Sequence, residues 1–478
     1  MFVNITTDIN DICLSDSHSC GKFHNHIITN VEIKHAIRSL HASKSDGVDP
    51  IHSDNIKHAS ERFIEFIVYI FNSIVSHGCI PDSFLFATVI PIPKNPRLDA
   101  TNPCNYRAIA LSSILGKLFD KIIIEKQVEQ LSTSDLQFGY KRKSSTVMCT
   151  TMLIETVEYY VSKHSSVYVL LIDASKAFDR VSHSKLFDVL RSHEMCPLFL
   201  RTLFNMYTHS EMQVRWKAEL SNSFALKNGV KQGGCLSPIL FTLYLDGLLC
   251  KLKHLGIGCH IGRTYCGVFG YADDLALVSP SIFGLRQMIA VCEQYAHDFN
   301  ILFNPKKSKL ICFNMLLDIK PVITLCDKVV EVVDSEMYLG TKLFKDVDKK
   351  PMDEFIFDFE RRCNHIIHNF KMCDSVTLKG IFSTYCESFY GCELFNYSKP
   401  YMSKLYISWR KIIRYIFRLP PRTHNYIVNQ LGDNVTHRLD RRLCKYIHNM
   451  MHSSNVTVRQ IIRQKFVSPT STIADNYR

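Results

Sequence analysis

Tyr271-Ala272-Asp273-Asp274 sits between two apolar runs, Val268-Phe269 before it and Leu275-Ala276-Leu277-Val278 after it. Adjacent side chains on a regular strand point to opposite faces, so neighbouring aspartates reach one site only where the chain turns. The pattern predicts a strand-turn-strand hairpin with carboxylates at its tip. Two carboxylates held close repel, which raises a pKa unless a hard cation lies between them, and oxygen donors of this kind suit Mg²⁺. That chemistry is phosphoryl transfer. Taken alone, an Asp-Asp turn is as readily a solvated turn, because Asp bonds its own backbone there.

A second feature lies upstream. Val167-Tyr168-Val169-Leu170-Leu171-Ile172 is a continuous apolar run, rich in β-branched residues, that ends directly in Asp173. A buried strand delivering one carboxylate at its C-terminal end is a metal-ligand arrangement. Asp173 and Asp273 could bridge two Mg²⁺ ions roughly 3.5–4 Å apart, one acting on an attacking 3′-hydroxyl and the other on a triphosphate and its leaving pyrophosphate. The reaction implied is nucleotidyl transfer.

Asp173-Ala174-Ser175-Lys176-Ala177-Phe178-Asp179, followed by Tyr271-Ala272-Asp273-Asp274, resembles motifs A and C of reverse transcriptases in the form typical of non-LTR (LINE-type) retrotransposons. The resemblance runs over most of the chain in the family's order. Lys44-Ser45-Asp46-Gly47-Val48-Asp49 is similar to the N-terminal extension motif. Val89-Ile90-Pro91-Ile92-Pro93-Lys94 and Asn105-Tyr106-Arg107-Ala108-Ile109-Ala110-Leu111 resemble the two fingers motifs. Gln137-Phe138-Gly139-Tyr140 matches the segment before motif A, and Asn228-Gly229-Val230-Lys231-Gln232-Gly233-Gly234-Cys235-Leu236-Ser237-Pro238 matches motif B. Asn304-Pro305-Lys306-Lys307-Ser308-Lys309 resembles motif D and Tyr338-Leu339-Gly340 resembles motif E.

The resemblance implies roles. Asp173 and Asp273 would ligate both metals, with Asp274 in support and the Ala174 carbonyl as a further ligand of the nucleotide-bound ion. Two Mg²⁺ are implied, with Mn²⁺ as a substitute. Lys94 and Arg107 would clamp the triphosphate, Arg by its planar fork and Lys as a point charge; outside that context, lone surface Lys and Arg only solvate. Phe178 would put a bulky ring under the nucleotide sugar, selecting dNTPs and arguing against an RNA-dependent RNA polymerase. Gln232 and Gly233 would shape the nucleotide pocket, glycine allowing close backbone approach. Lys306 or Lys307 would protonate pyrophosphate, and Tyr338, Leu339 and Gly340 would brace the primer end.

The elements that must position these residues follow from periodicity. Helical spacing is seen at 31–40, 62–75, 109–131, 146–162, 182–192, 199–207, 236–252 and 283–300. Strands are expected at 87–93, 167–172, 213–216 with 224–228, 267–279, 309–313, 328–333 and 338–344. Antiparallel hairpins with helices on one side give an α+β class, matching a right-hand polymerase with fingers, a palm holding an antiparallel sheet, and a helical thumb. Beyond 353 the chain reads as nearly all helix, at 353–373, 375–389, 402–418 and 435–451. Leu419-Pro420-Pro421-Arg422 is a strong breaker. The expected division is an irregular leader at 1–30, fingers and palm at 31–345, thumb at 346–420 and a basic helical region at 421–478.

With 478 residues and 46% apolar content, the chain can bury a large core in two or three domains. Residues 401–478 hold 14 Lys or Arg against three Asp or Glu, so +11 of the net +12 lies there. Interleaved with Tyr401, Tyr406, Trp409, Tyr415, Phe417 and Tyr446, this charge suits RNA or DNA contact with some stacking; a solvated helical face is the plainer alternative. The 18 cysteines include no Cys-x-x-Cys pair, so zinc is not expected at Cys13, Cys20, His24 and His26, nor at Cys444, His448 and His452. No signal peptide and no run of about 20 apolar residues is present. A non-membrane, non-secreted protein of the nucleus and cytoplasm is expected.

Two departures from the family matter. Ala108 stands where the second fingers motif usually has Pro, which loosens the loop carrying Arg107. LINE proteins normally begin with an endonuclease, and nothing resembling one precedes Lys44, so a fragment or truncated copy that extends a primed end is expected. The implied partners are an RNA template, a DNA primer or target DNA, and dNTPs. The rival from another class is an inactive retroelement relic that binds RNA. A group II intron maturase would need a further domain after the thumb, for which 421–478 is short.

Overall fold

A computed structural model describes residues 26–40, 51–315, 321–346, 352–395, 397 and 400–467. The motif at 44–49, the leader residues Cys13, Cys20 and His24, and the last residues from 468 lie outside the described residues. The chain divides into two units, one of residues 1–134, 174–250 and 292–303, the other of 135–173, 251–291 and 304–478. The class is α+β.

In the first unit, the strand Phe86–Pro93 pairs antiparallel with Tyr106–Ser112, placing Ile92 across from Arg107. It also pairs parallel with Glu211–Trp216, which in turn takes Phe224–Ala225 antiparallel. Ala87, Val89, Ala110 and Met212 form the apolar face of this sheet. Beside it, Phe71 of the helix Glu61–His77 meets Phe119 of the helix Ile114–Lys126 edge-on, with centroids 5.0 Å apart.

The helix expected over 109–131 is shorter at both ends. Ile109, Ala110 and Leu111 have helical spacing to the residues that follow, but their backbone groups belong to the ladder with Phe86–Pro93. Ser113 then caps the helix, accepting the Gly116 N–H on its Oγ at 3.0 Å.

In the second unit, Val167–Ile172 is the middle strand of a sheet. It pairs antiparallel with Asp274–Ser279 on one side and Lys309–Phe313 on the other, and Val268–Tyr271 completes the hairpin with Asp274–Ser279. A central strand covered on both faces reads as a continuous apolar run rather than an alternating one, which is why this segment has no polar residue. Val167, Val169 and Leu171 share a face and pack with Met148, Met152 and Val157 of the helix Thr146–Val161. Leu443, Ile447 and Met450 join the same core, as do Val458, Ile461 and Ile462.

A second core lies among the helices Met352–Asn369, Ser375–Tyr385 and Tyr401–Ile416, around Phe359, Phe382, Leu405 and Trp409. The helix Val435–Met451 serves both cores. Val435 and Leu439 enter the helical one, and Leu443, Ile447 and Met450, continuing the same face at spacings of four and three residues, enter the sheet core. Each such buried side chain contributes roughly 1.5–3 kcal/mol.

The segment expected as one strand over 338–344 instead holds the turn and the second strand of a hairpin, Ser335–Tyr338 pairing with Thr341–Phe344 through a turn at Leu339-Gly340. Two helices not expected from spacing, Asn425–Leu431 and Val456–Val467, complete the chain's C-terminal part. No described helix is long and apolar enough to cross a membrane.

Candidate active site

The hairpin predicted around Asp273 forms with the shortest loop available. Tyr271 pairs with Asp274, so Ala272 and Asp273 alone make the turn. Ala272 has φ 55, the left-handed region that a two-residue hairpin demands of its first loop position and that usually selects glycine. Ile172 is opposite Leu275 in the neighbouring ladder, so Asp173, one residue further, falls across from Asp274. Residues opposite each other in an antiparallel pair share a face. The register therefore turns the carboxylate at the end of the middle strand toward the pair at the hairpin.

Electrostatics agree with that geometry. Partial burial raises the pKa of Asp273, its own backbone bond pulls it down, and the Asp173 charge raises it. Asp274 keeps an open surface, yet crowding by the surrounding chain, followed by the charges of Asp273 and Asp173, pushes it up to about 6. Lys307 opposes the shift on both. Its ammonium stands 3.5 Å from Asp173 Oδ2. Lys306 is exposed like Lys307, and its backbone N–H is bonded to Asn304 Oδ1.

These residues fit a divalent cation by donor chemistry. Asp173 Oδ2 is enclosed and accepts no hydrogen bond, and hard oxygen donors with surplus negative charge are what such ions take. Among the described residues, no three Asp, Glu, His or Cys side chains already stand around a common ligation point.

Apart from Lys307, the residues assigned to the nucleotide lie in the first unit. Phe178 stacks on Phe241 of the helix Ser237–Leu255, centroids 4.6 Å apart and planes 20° apart. Gln232 Nε2 donates to Asp179 Oδ1 at 3.0 Å, and its carbonyl accepts the Ala110 N–H at 2.6 Å. Gly233 has φ 111, and a Cβ there would lie 2.7 Å from the Ala110 carbonyl oxygen. Val230 and Gly229 donate to the carbonyls of Phe178 and Val181, both at 2.8 Å. The buried His183 donates from Nε2 to the Gly229 carbonyl at 2.8 Å. Motif B is thus stitched to motif A by backbone, with Asp179 and His183 as side-chain supports that spacing gave no reason to single out.

Arg107 and Lys94 are both exposed on the hairpin of Phe86–Pro93 and Tyr106–Ser112, and the Lys94 ammonium donates to the Cys104 carbonyl at 2.9 Å. Ala174 forms an antiparallel bridge with Phe303.

At motif E, Leu339 (φ 48) and Gly340 (φ 77) are both left-handed, as a type I′ turn requires. Tyr338 is buried, its hydroxyl directed at the Phe269 carbonyl at 3.5 Å. Tyr390 OH donates to the Leu339 carbonyl at 2.7 Å and accepts from Thr146 Oγ1 at 2.6 Å.

The basic C-terminal region differs from expectation. Trp409 is fully buried, donating Nε1 to Glu387 at 2.6 Å, and the half-buried Tyr446 bonds Thr151 at 2.5 Å. The Trp409 ring fills a core between helices and is not free to stack on a base, whereas Tyr415 of the same set is exposed. Arg438 and Arg442 are likewise used internally, on the buried Glu387 and Glu393 at 3.0 and 2.5 Å. Lys411, Arg418, Arg422, Arg441, Lys445 and Arg463 remain exposed.

The family model for reverse transcriptase (RNA-dependent DNA polymerase) matches residues 92–343, more than half of the chain. The chain is 30% identical over 264 residues to the Retrovirus-related Pol polyprotein from type-2 retrotransposable element R2DM of Drosophila melanogaster, covering 55% of this chain and 24% of that protein. It is 26% identical over 327 residues to the probable RNA-directed DNA polymerase from transposon BS of the same organism, covering 66% and 35%. A solved telomerase from Candida albicans with the TWJ fragment of telomeric RNA is 11% identical at a TM-score of 0.41, over 84% of this chain and 66% of that one. The chain thus spans about a quarter to a third of the length of these curated relatives. Reverse transcriptases generally use divalent metal ions. Matched by the family's model and by retrotransposon relatives, the chain belongs to the reverse transcriptase (RNA-dependent DNA polymerase) family, in its non-LTR, LINE-type branch.

Proposed function

We propose that the chain is an RNA-directed DNA polymerase that adds dNTPs to the 3′-hydroxyl of a DNA primer or nicked target on an RNA template, in nucleus or cytoplasm. The observation that supports this reading is the register that sets Asp173, at the end of the middle strand, across from Asp274 and next to the turn that carries Asp273, with the Lys307 ammonium 3.5 Å from Asp173 Oδ2. Asp173 and Asp273 would hold two Mg²⁺ ions, replaceable by Mn²⁺, with Asp274 and the Ala174 carbonyl in support. When bound, such ions stabilise the attacking and leaving oxygens of an in-line displacement.

The chain's own residues have the remaining tasks. Lys307 would carry a proton toward the pyrophosphate leaving group. Lys94 and Arg107 would neutralise the triphosphate, while Phe178, backed by Phe241, would exclude a 2′-hydroxyl. Gln232, oriented by Asp179, and Gly233 would receive the base pair being formed. Leu339 and Gly340 would meet the primer end, with Tyr338 anchoring them from the core. Residues 31–345 would serve as fingers and palm, 346–420 as thumb, and the exposed basic residues of 421–478 would contact nucleic-acid backbone.

Primer extension on poly(rA)·oligo(dT) with dTTP and Mg²⁺ tests this. Extension that disappears in Asp273→Asn is the expected result. RNA binding without extension would replace it with the relic reading.

A further inference from the structure

Gln137 is wholly buried, and its side chain is committed to the carboxylate-bearing turn. Its Oε1 accepts two backbone N–H groups, from Gly139 and from Ala272, each at 2.9 Å. The strip around it runs parallel to Val268–Tyr271. Gln137 is bridged to Gly270, Phe138 donates to the Gly270 carbonyl at 2.7 Å, and Gly270 donates to the Leu136 carbonyl at 2.9 Å. All of these residues lie in the second unit.

Ala272 immediately precedes Asp273 and is held at φ 55, a conformation that an L-residue adopts only when its surroundings impose it. As the first loop residue of a two-residue turn, it has no strand partner for its N–H. Gln137 supplies that partner. Gly139 makes the approach possible, since a Cβ there would lie 2.5 Å from the Ala272 nitrogen. Gln137 Nε2, meanwhile, is buried with no hydrogen-bond partner. A buried amide left half-satisfied is a cost that an apolar side chain would avoid. The site keeps the glutamine for its oxygen.

We infer that Gln137 is a positioning residue: its carbonyl oxygen holds Ala272 in the left-handed conformation and thereby aims the Asp273 carboxylate for divalent-cation binding. The cation part rests on the polymerase reading; the turn-holding part does not.

The test has two readouts on the full chain without nucleic acid or dNTP. Free Mn²⁺ is titrated by EPR, and amide hydrogen exchange is followed by mass spectrometry on the peptide spanning the turn. Gln137→Leu removes the acceptor at similar volume. It should weaken Mn²⁺ binding about tenfold and speed exchange at the turn, with the rest of the exchange map unchanged. Adding Ala272→Gly should restore most of the lost affinity, because glycine adopts the turn without the brace. A merely structural role would show no such rescue. Should Gln137→Leu not fold, Gly139→Ala, which pushes the strip off Ala272, is read in the same way. A folded variant with wild-type Mn²⁺ affinity and wild-type turn exchange overturns the inference, as does weakened affinity that Ala272→Gly fails to restore. If the wild type and Asp273→Asn bind Mn²⁺ equally poorly, the polymerase reading fails instead; turn exchange then decides the role of Gln137 alone, faster exchange supporting it and unchanged exchange overturning it.

Discussion

Tyr390 closes its hydroxyl on the Leu339 carbonyl at 2.7 Å, and a Cβ on the adjacent Gly340 would lie 3.1 Å from its ring. Leu339 is a branched residue at φ 48, so its turn depends on contacts from outside the hairpin. Tyr390→Phe keeps the ring and removes this bond, together with the one from Thr146 Oγ1, which does not reach the turn. Losing a net hydrogen bond of about 1 kcal/mol corresponds to roughly a fivefold effect. The expected outcome in steady-state extension is a KM for primer–template raised by about that factor, with the KM for dTTP unchanged.

Phe178 has its ring fixed against Phe241 at 4.6 Å. A ring that could swing away would exclude nothing, so the sugar-selecting role proposed for Phe178 would need both residues. Phe178→Val should raise ribonucleotide use relative to deoxyribonucleotide by roughly 10–100-fold, the range that loss of a steric contact gives. Phe241→Leu should give a smaller change in the same direction. The ratio of kcat/KM for UTP and dTTP on poly(rA)·oligo(dT) measures both.

What could be read from the sequence was local. The hairpin at 268–279 and the strand ending at Asp173 each announce themselves by apolar runs that stop at an acid, and the ladder brings them to one sheet edge. Ile109-Ala110-Leu111 misled because helical spacing and a strand ladder compete for the same residues, and the partner strand decides. Trp409 and Tyr446 looked available for stacking, since burial depends on helices distant in sequence. Gln137, Asp179 and His183 act on partners up to 135 residues away. No pattern in their immediate neighbours encodes such a bond.

The basic surplus of the C-terminal region splits into two classes with different consequences. Arg442 pairs with the buried Glu393 and also donates to the Ser388 carbonyl, whereas Arg441, next to it, is exposed. Removing one partner of a buried pair leaves an uncompensated charge and costs about 3–5 kcal/mol. Arg442→Met should therefore lower the urea midpoint sharply. Arg441→Ala, alone or with Lys445→Ala, should leave the midpoint unchanged and weaken RNA binding, with a shallower salt dependence in filter binding. Equal stability loss in both would contradict the division.

Asp120 supports the motif B segment from below, its Oδ2 accepting the Leu236 N–H at 3.4 Å with Lys231 as the nearby cation. Burial raises its pKa to about 6, against the opposing pull of Lys231 and the backbone bonds. A carboxyl whose folded pKa exceeds its unfolded value near 3.8 stabilises the fold fully below that lower value. The contribution is lost as pH rises through about 6. The urea stability of the wild type should thus fall relative to Asp120→Asn between pH 4 and pH 6, by on the order of 2 kcal/mol. Lys231 is shifted the other way, its pKa lowered to about 8 by burial despite the attraction of Asp120. Folding resists its charged form, so stability should rise with pH above about 8 in the wild type and stay flat in Lys231→Met. Parallel pH profiles for wild type and Asp120→Asn in the acid window would show that this carboxyl is not held against its charge.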